Sequence, residues 1–351
     1  MDKEQKTNQE NKRRDFQILK KMSELPGGLV IIPLVIAVLL ATFVPQFFKI
    51  GGYVTALFYE GNACMMGFFL IVCGSMIDIK QVGMPLYKGV TMTGFKFILG
   101  VLVGLLVGKL CGPAGFLGIA PFVWIAAITN SNGSLYISLS SQFGNATDTG
   151  AISILSLNDG PFFTLVALGA TGLANIPLMS LVAVLIPLLV GFVWGNLDSH
   201  FRAACKTAQP IVTFFMTISI GAKTDIKTIL TAGASGIILG LISAATAVIF
   251  FFLINLILPR KERNAMGAAI GTTALNSAMT PAAVAEADPA MKKYTGIATA
   301  QCATASIITL FLCPFITAAF DRYMMKRQKG IYSPEGWAYQ KGLETIADTA
   351  H

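Results

Sequence analysis

The chain has 351 residues, 54% of them hydrophobic and only 13% charged, with a mean hydropathy of +0.67. A soluble protein of this length needs more charge to cover its surface, so the composition excludes an ordinary soluble enzyme or binding domain and points to an integral membrane protein. The net charge of +8 sits mostly at the two ends; basic flanks fix topology and touch anionic lipid headgroups, so no nucleic-acid partner is implied.

Residues 1–24 form a polar basic arm containing Lys12-Arg13-Arg14 and Lys20-Lys21. The first apolar run, Leu29 to Val44, lacks a small-residue cleavage site and is expected to stay as a helix. Windows long enough to cross the hydrocarbon core fall near 27–45, 54–77, 89–110, 115–143, 148–172, 176–195, 205–222, 229–258, 264–287 and 294–320. Ten spans place both termini on one side, and the basic tails make that side cytoplasmic. The loop Pro259-Arg260-Lys261-Glu262-Arg263 agrees with this orientation, whereas Lys292-Lys293 falls on the opposite side. Residues 321–351 form a second polar tail, too short for a signalling domain.

In the third span, Gly100-x-x-x-Gly104-x-x-x-Gly108 predicts close approach of a neighbouring helix. Lys96, the lysine placed well inside a span, could neutralise a substrate carboxylate, pair with Asp159 or snorkel to the surface. The fourth span is interrupted by Thr129-Asn130-Ser131-Asn132-Gly133-Ser134. Asparagine and glycine break helices, and unpaired backbone in hydrocarbon survives only when it lines a wet cavity or is buried in protein.

The fifth span holds Ser156-Leu157-Asn158-Asp159-Gly160-Pro161. An aspartate at a helix centre costs roughly 2.5–3.5 kcal/mol on insertion scales, which argues for a function; Asp159, with Asn158 beside it, is the proton-coupling candidate. The ninth span carries Asn276-Ser277-Ala278-Met279-Thr280-Pro281, where proline is expected to free a carbonyl. Glu60 and Glu286 are weaker acidic candidates. The six cysteines form no Cys-x-x-Cys pair and read as small buried thiols. With two histidines and no such cluster, no metal site is expected. No P-loop, zincin or hydrolase-elbow motif occurs, so no enzyme is expected.

An internal repeat organises these features. Gly74-x-x-x-Asp78-Ile79-Lys80 recurs as Gly221-x-x-x-Asp225-Ile226-Lys227, an offset of 221 − 74 = 147. Asn130-Ser131 matches Asn276-Ser277, and Thr149-Gly150 matches Thr295-Gly296, both at an offset of 146. About five spans separate the copies, and an odd number inverts the second against the first, as in secondary transporters. The expected fold is therefore an all-α polytopic membrane protein of about ten helices in two inverted five-helix repeats, 25–172 and 173–320, with helices 4 and 9 broken. Paired breaks point to a substrate site built from Asn130, Ser131, Asn132, Gly133, Ser134, Asn276, Ser277 and Thr280, with Lys96 nearby. Half-helix N-termini there favour an anionic group, and the amides and hydroxyls suit a polyol.

From Lys21 to Arg322 the chain resembles the 2-keto-3-deoxygluconate permeases. The likeness rests on Leu25-Pro26-Gly27-Gly28, Gly74-x-x-x-Asp78-Ile79, Asn132-Gly133-Ser134-Leu135-Tyr136, Leu157-Asn158-Asp159-Gly160-Pro161 and Val190-Gly191-Phe192-x-x-Gly195-Asn196-Leu197-Asp198. The resemblance implies proton-coupled uptake of a six-carbon sugar acid by alternating access in the cell membrane. It is similar in turn to the bile acid:sodium symporters and auxin efflux carriers, which implies a panel of helices 1, 2, 6 and 7 beside a core of 3–5 and 8–10, with helices 4 and 9 crossing. The chain departs from the pattern at Thr129 and near Asn158, where other members carry acidic residues. No cofactor is implied; the coupling ion is a proton, with a sodium-coupled organic anion symporter as the alternative. Assembly into a homo-oligomer stays open.

Overall fold

A computed structural model describes residues 16–24, 28–77, 83–155, 161–223 and 226–349. The described chain is helical; its β pairing is one isolated bridge, between Phe116 and Ile119. A short helix α1 (Ile18–Glu24) leads into α2 (Gly28–Phe43), and the pair α3 (Gly52–Phe58) and α4 (Asn62–Met76) bends by 53° at its break. Next come α5 (Met84–Cys111), α6 (Pro121–Thr129), α7 (Gly133–Phe143), the short α8 (Ala146–Gly150) and α9 (Ile152–Leu155), and α10 (Phe162–Thr171). The second half contains α11 (Leu178–Leu197), α12 (Ser199–Gly221), α13 (Ile226–Ile257), α14 (Met266–Ala269), α15 (Thr280–Ala287), α16 (Thr295–Lys326) and the tail helix α17 (Pro334–Thr349).

Helices occupy every apolar window read from the sequence. By length and composition, those centred on α5, α11, α13 and α16 suffice to cross a membrane, and the bent pair α3–α4 makes a fifth. Their outward faces are apolar: Leu102, Leu106 and Leu110 on α5, Phe252 and Leu256 on α13, and Phe311 and Phe315 on α16 are all exposed. Such faces are stable against lipid and would associate in water.

Local chemistry sets the boundaries. Gly83 (φ +80°) and Gly112 (φ +68°) flank α5 in conformations that L side chains avoid. Helix α12 begins at Ser199, earlier than its apolar window, because Asp198 Oδ1 accepts from the backbone N–H groups of His200 and Phe201 at 2.8 and 3.2 Å. This N-cap extends the helix through a polar turn that hydropathy alone reads as loop. All six cysteines are free, but Cys64 and Cys111 are exposed, against the expectation that every one is buried. Helical position decided this: both lie on faces turned away from neighbouring helices.

The helices pack in two groups. In one, α4 lies against α11 and α12, and α12 against α2. In the other, α13 runs along α16, and α5 along α6, with α14 and α15 held against α16. Glycine makes each contact close. The stripe Gly100, Gly104 and Gly108 faces Thr129, Ile125 and Leu173, while Gly236 and Gly240 face Thr304 and Ile308. At the α4–α11 crossing a Cβ on Gly191 would run into the Ile71 carbonyl, and one on Gly74 into that of Leu188. Gly191→Ala is therefore expected to destabilise the protein by about 1–3 kcal/mol through overpacking against backbone. Gly94→Ala, where nothing lies within 4 Å, is expected to be neutral or slightly stabilising. Melting of both variants in detergent checks the contrast.

Candidate functional site

The two segments that carry the repeated Asn-Ser pairs are each interrupted. Helix α6 stops at Thr129, Asn130 is extended (φ −81°, ψ 137°), and α7 restarts at Gly133. The side chains at the break satisfy the backbone groups that unwinding releases. Asn130 Nδ2 donates to the Ala126 carbonyl at 2.7 Å, and Thr129 Oγ1 to the Ile125 carbonyl at 2.8 Å. Asn132 Oδ1 accepts from the Leu135 N–H at 3.0 Å and so caps α7. Gly133 opens that helix; Ser134 lies in its first turn, its side chain outside the described residues.

The second interruption differs from its expected form. Helix α14 stops at Ala269, residues 271–274 carry no helix, and a 3-10 turn, Leu275–Ala278, leads into α15. The unwinding thus precedes Asn276 instead of centring on Asn276–Pro281. Pro281 sits in the first turn of α15, where a missing N–H leaves no helical bond unmade. Asn276 is half-buried, while Ser277 and Thr280 are buried.

The two interruptions meet. The Asn132 N–H donates to Thr272 Oγ1 at 3.1 Å. From α5, Lys96 Nζ donates to the carbonyls of Ile270 and Thr272 at 2.6 and 2.8 Å. Among the described residues these carbonyls, and not a carboxylate, surround the ammonium. Helix α16 completes the frame: Thr309 Oγ1 accepts from the Thr273 N–H, and Ser306 Oγ donates to the Ala274 carbonyl. Against this satisfied backbone, several buried hydroxyls stand out. Among the described residues Ser131 Oγ and Thr273 Oγ1 have no partner, nor has Thr93 Oγ1 on α5; Ser277 Oγ has only the weakly polar Cys302 thiol beside it. Buried hydroxyls are ordinarily paired by protein or water, so these offer hydrogen bonds to water or to a polar ligand. Asn158 and Asp159, the segment Asp78-Ile79-Lys80 and Asp225 lie outside the described residues.

A crevice of about 430 Å³ lies between the two packing groups, lined by Tyr59, Asn62, Lys223, Glu286, Lys292 and Thr295. Asn62 Nδ2 reaches Glu286 Oε1 across it at 3.4 Å. Glu286 therefore lines a polar opening, whereas Glu60 is simply exposed.

One buried charge cluster was not foreseen. Lys88, near the start of α5, is fully buried and pairs with Asp148 Oδ1 at 2.7 Å and Glu262 Oε2 at 2.9 Å. Asn264 Nδ2 and the Asn145 N–H hold Asp148 Oδ2, while Asn145 Nδ2 and Thr147 Oγ1 donate to Glu262 Oε2. The cluster ties the α7–α8 turn to the segment between α13 and α14. Burial alone would raise the Glu262 pKa, but the Lys88 ammonium and hydrogen bonds outweigh it and hold the carboxyl below its ordinary value. On the tail helix, burial and the neighbouring Glu262 carboxylate push Tyr339 up to about 12. The signal in the sequence was Asn145-x-x-Asp148, a capping box whose acidic member turns inward.

A family model described as 2-keto-3-deoxygluconate permease matches residues 19–326. The chain is 43% identical over 303 residues to 2-keto-3-deoxygluconate permease 1 of Salmonella typhimurium, covering 86% of this chain and 95% of that protein. It is 30% identical over 325 residues to the 2-keto-3-deoxygluconate permease of Bacillus subtilis, covering 91% and 98%. A third relative, the permease of the same description from Escherichia coli K12, is 31% identical over 322 residues, covering 89% and 97%.

Proposed function

This chain belongs to the 2-keto-3-deoxygluconate permease family, and we propose that it imports 2-keto-3-deoxygluconate, or a closely related sugar-acid anion, together with a proton. It is a multi-pass membrane permease, not an enzyme. In this reading ten helices form two inverted repeats in the cell membrane with both termini cytoplasmic. The group holding α5–α10 and α13–α16 moves against the group of α2, α4, α11 and α12 to give alternating access. The substrate lies where the two interruptions meet.

The observation that carries the reading is the set of buried hydroxyls on the two interruptions, Ser131 and Thr273 without a partner among the described residues and Ser277 with only the Cys302 thiol beside it. A polyol acid offers partners for all of them. Helices α7 and α15 both begin at the interruptions, so their N–H ends, with the positive end of each helix dipole, favour the carboxylate. Lys223 and Lys292 in the crevice favour entry of an anion. Asp159, within the Asn158-Asp159 pair, carries the coupling proton; an aspartate in an apolar run is the residue type that proton-coupled transporters use.

Uptake by purified protein in proteoliposomes tests the reading. Labelled 2-keto-3-deoxygluconate should accumulate under an imposed inward pH gradient and be displaced by other hexonates. Equal uptake of the neutral parent sugars would overturn it.

A further inference from the structure

Unwinding at residues 271–274 leaves backbone carbonyls without helical partners beyond the end of α14. Buried carbonyls of this kind must meet donors or a cation, and in secondary transporters unwound carbonyls at half-helix ends are where a monovalent cation is held. Here the Ile270 and Thr272 carbonyls receive an ammonium that belongs to the chain. Lys96 is 1% exposed, reaches both oxygens at 2.6 and 2.8 Å, and lies 5.5 Å from the centroid of the Phe250 ring. Lys96 makes no ion pair within 4 Å among the described residues, outside which Asp159 lies. A buried charge without an ionic partner is costly, and what remains to hold it is the carbonyl dipoles and the ring face.

We propose that Lys96 is the resident cation of the second interruption, a positioning residue whose ammonium does the work of a bound monovalent ion, so that the transporter takes no sodium there. This rests on the reading of the interruptions as the substrate site. The ammonium sets the carbonyls of Ile270 and Thr272 and, through Thr272, the Asn132 N–H of the other interruption. In its ammonium form Lys96 also places a positive charge at the second interruption, so sodium has neither a vacant cage nor a charge to balance.

The test compares the intact protein with Lys96→Ala and Lys96→Met in choline, sodium and propylammonium chloride. Propylammonium replaces the atoms that Lys96→Ala removes, whereas Lys96→Met fills the same space without charge. Melting and substrate counterflow in proteoliposomes are both read. The intact protein should respond to neither sodium nor propylammonium. Lys96→Ala should melt lower in choline and lose at least tenfold in counterflow, and both deficits should shrink in propylammonium and in sodium; Lys96→Met should recover in neither. If Lys96→Ala can be purified only with propylammonium, that dependence is itself the rescue. Insensitivity of Lys96→Ala to every cation, sodium stimulation of the intact protein, or wild-type behaviour of Lys96→Met would each overturn the proposal. Cation-dependent melting of Lys96→Ala, with no sugar-acid exchange by the intact protein, would instead sink the transport reading and leave the cation site standing.

Discussion

Lys88→Met should lower the folding free energy by about 3–5 kcal/mol, the usual cost of removing one partner from a buried ionic cluster. Asp148 and Glu262 would be left buried at one end of the helical core with amide and hydroxyl donors but no cation. Most of the loss is the penalty of two stranded carboxylates, so Lys88→Met combined with Glu262→Gln should recover part of it. Denaturation in mixed detergent micelles measures both variants. Within that cluster Glu262 contributes an acid limit. Because the folded Glu262 pKa lies below its unfolded value, its contribution is fully present above the ordinary glutamate range and is lost as pH falls toward the lowered folded value. Glu262→Gln should remove that part of the acid dependence.

The second large effect concerns coupling. One proton carried with one monoanionic substrate is electroneutral, so an imposed gradient of one pH unit should support about tenfold accumulation, equivalent to about 1.4 kcal/mol. In Asp159→Asn the accumulation should vanish while exchange of labelled for unlabelled substrate continues, since exchange needs the site but no net proton movement. Accumulation by the variant at the wild-type level would remove Asp159 from the coupling role.

The first interruption was legible because Asn130-Ser131-Asn132-Gly133 carries its own reason to unwind: amides that satisfy backbone and a glycine entering the next helix. The second was legible in existence but not in position. Pro281 drew attention to the Asn276 segment, yet proline at a helix start disturbs nothing, and the unwinding at 271–274 depends on Lys96, Ser306 and Thr309 from distant helices. No local pattern encodes that. Lys88 and Glu262 escaped for a related reason. Each sits at the edge of an apolar run, where a loop reading is ordinary, and only the fold brings them to Asp148. Lys96 stood out as a charge within a span, but its partners could not be read from spacing.

Equilibrium binding of labelled 2-keto-3-deoxygluconate to purified protein carrying Ser131→Ala or Ser277→Ala tests most directly whether the joined interruptions hold the sugar acid. A lost hydrogen bond to a charged or fully desolvated ligand is worth about 1.5–3 kcal/mol, so each variant should bind about tenfold to a hundredfold more weakly while melting close to the wild type. Wild-type affinity in both variants, or equal competition by glucose, would contradict the account.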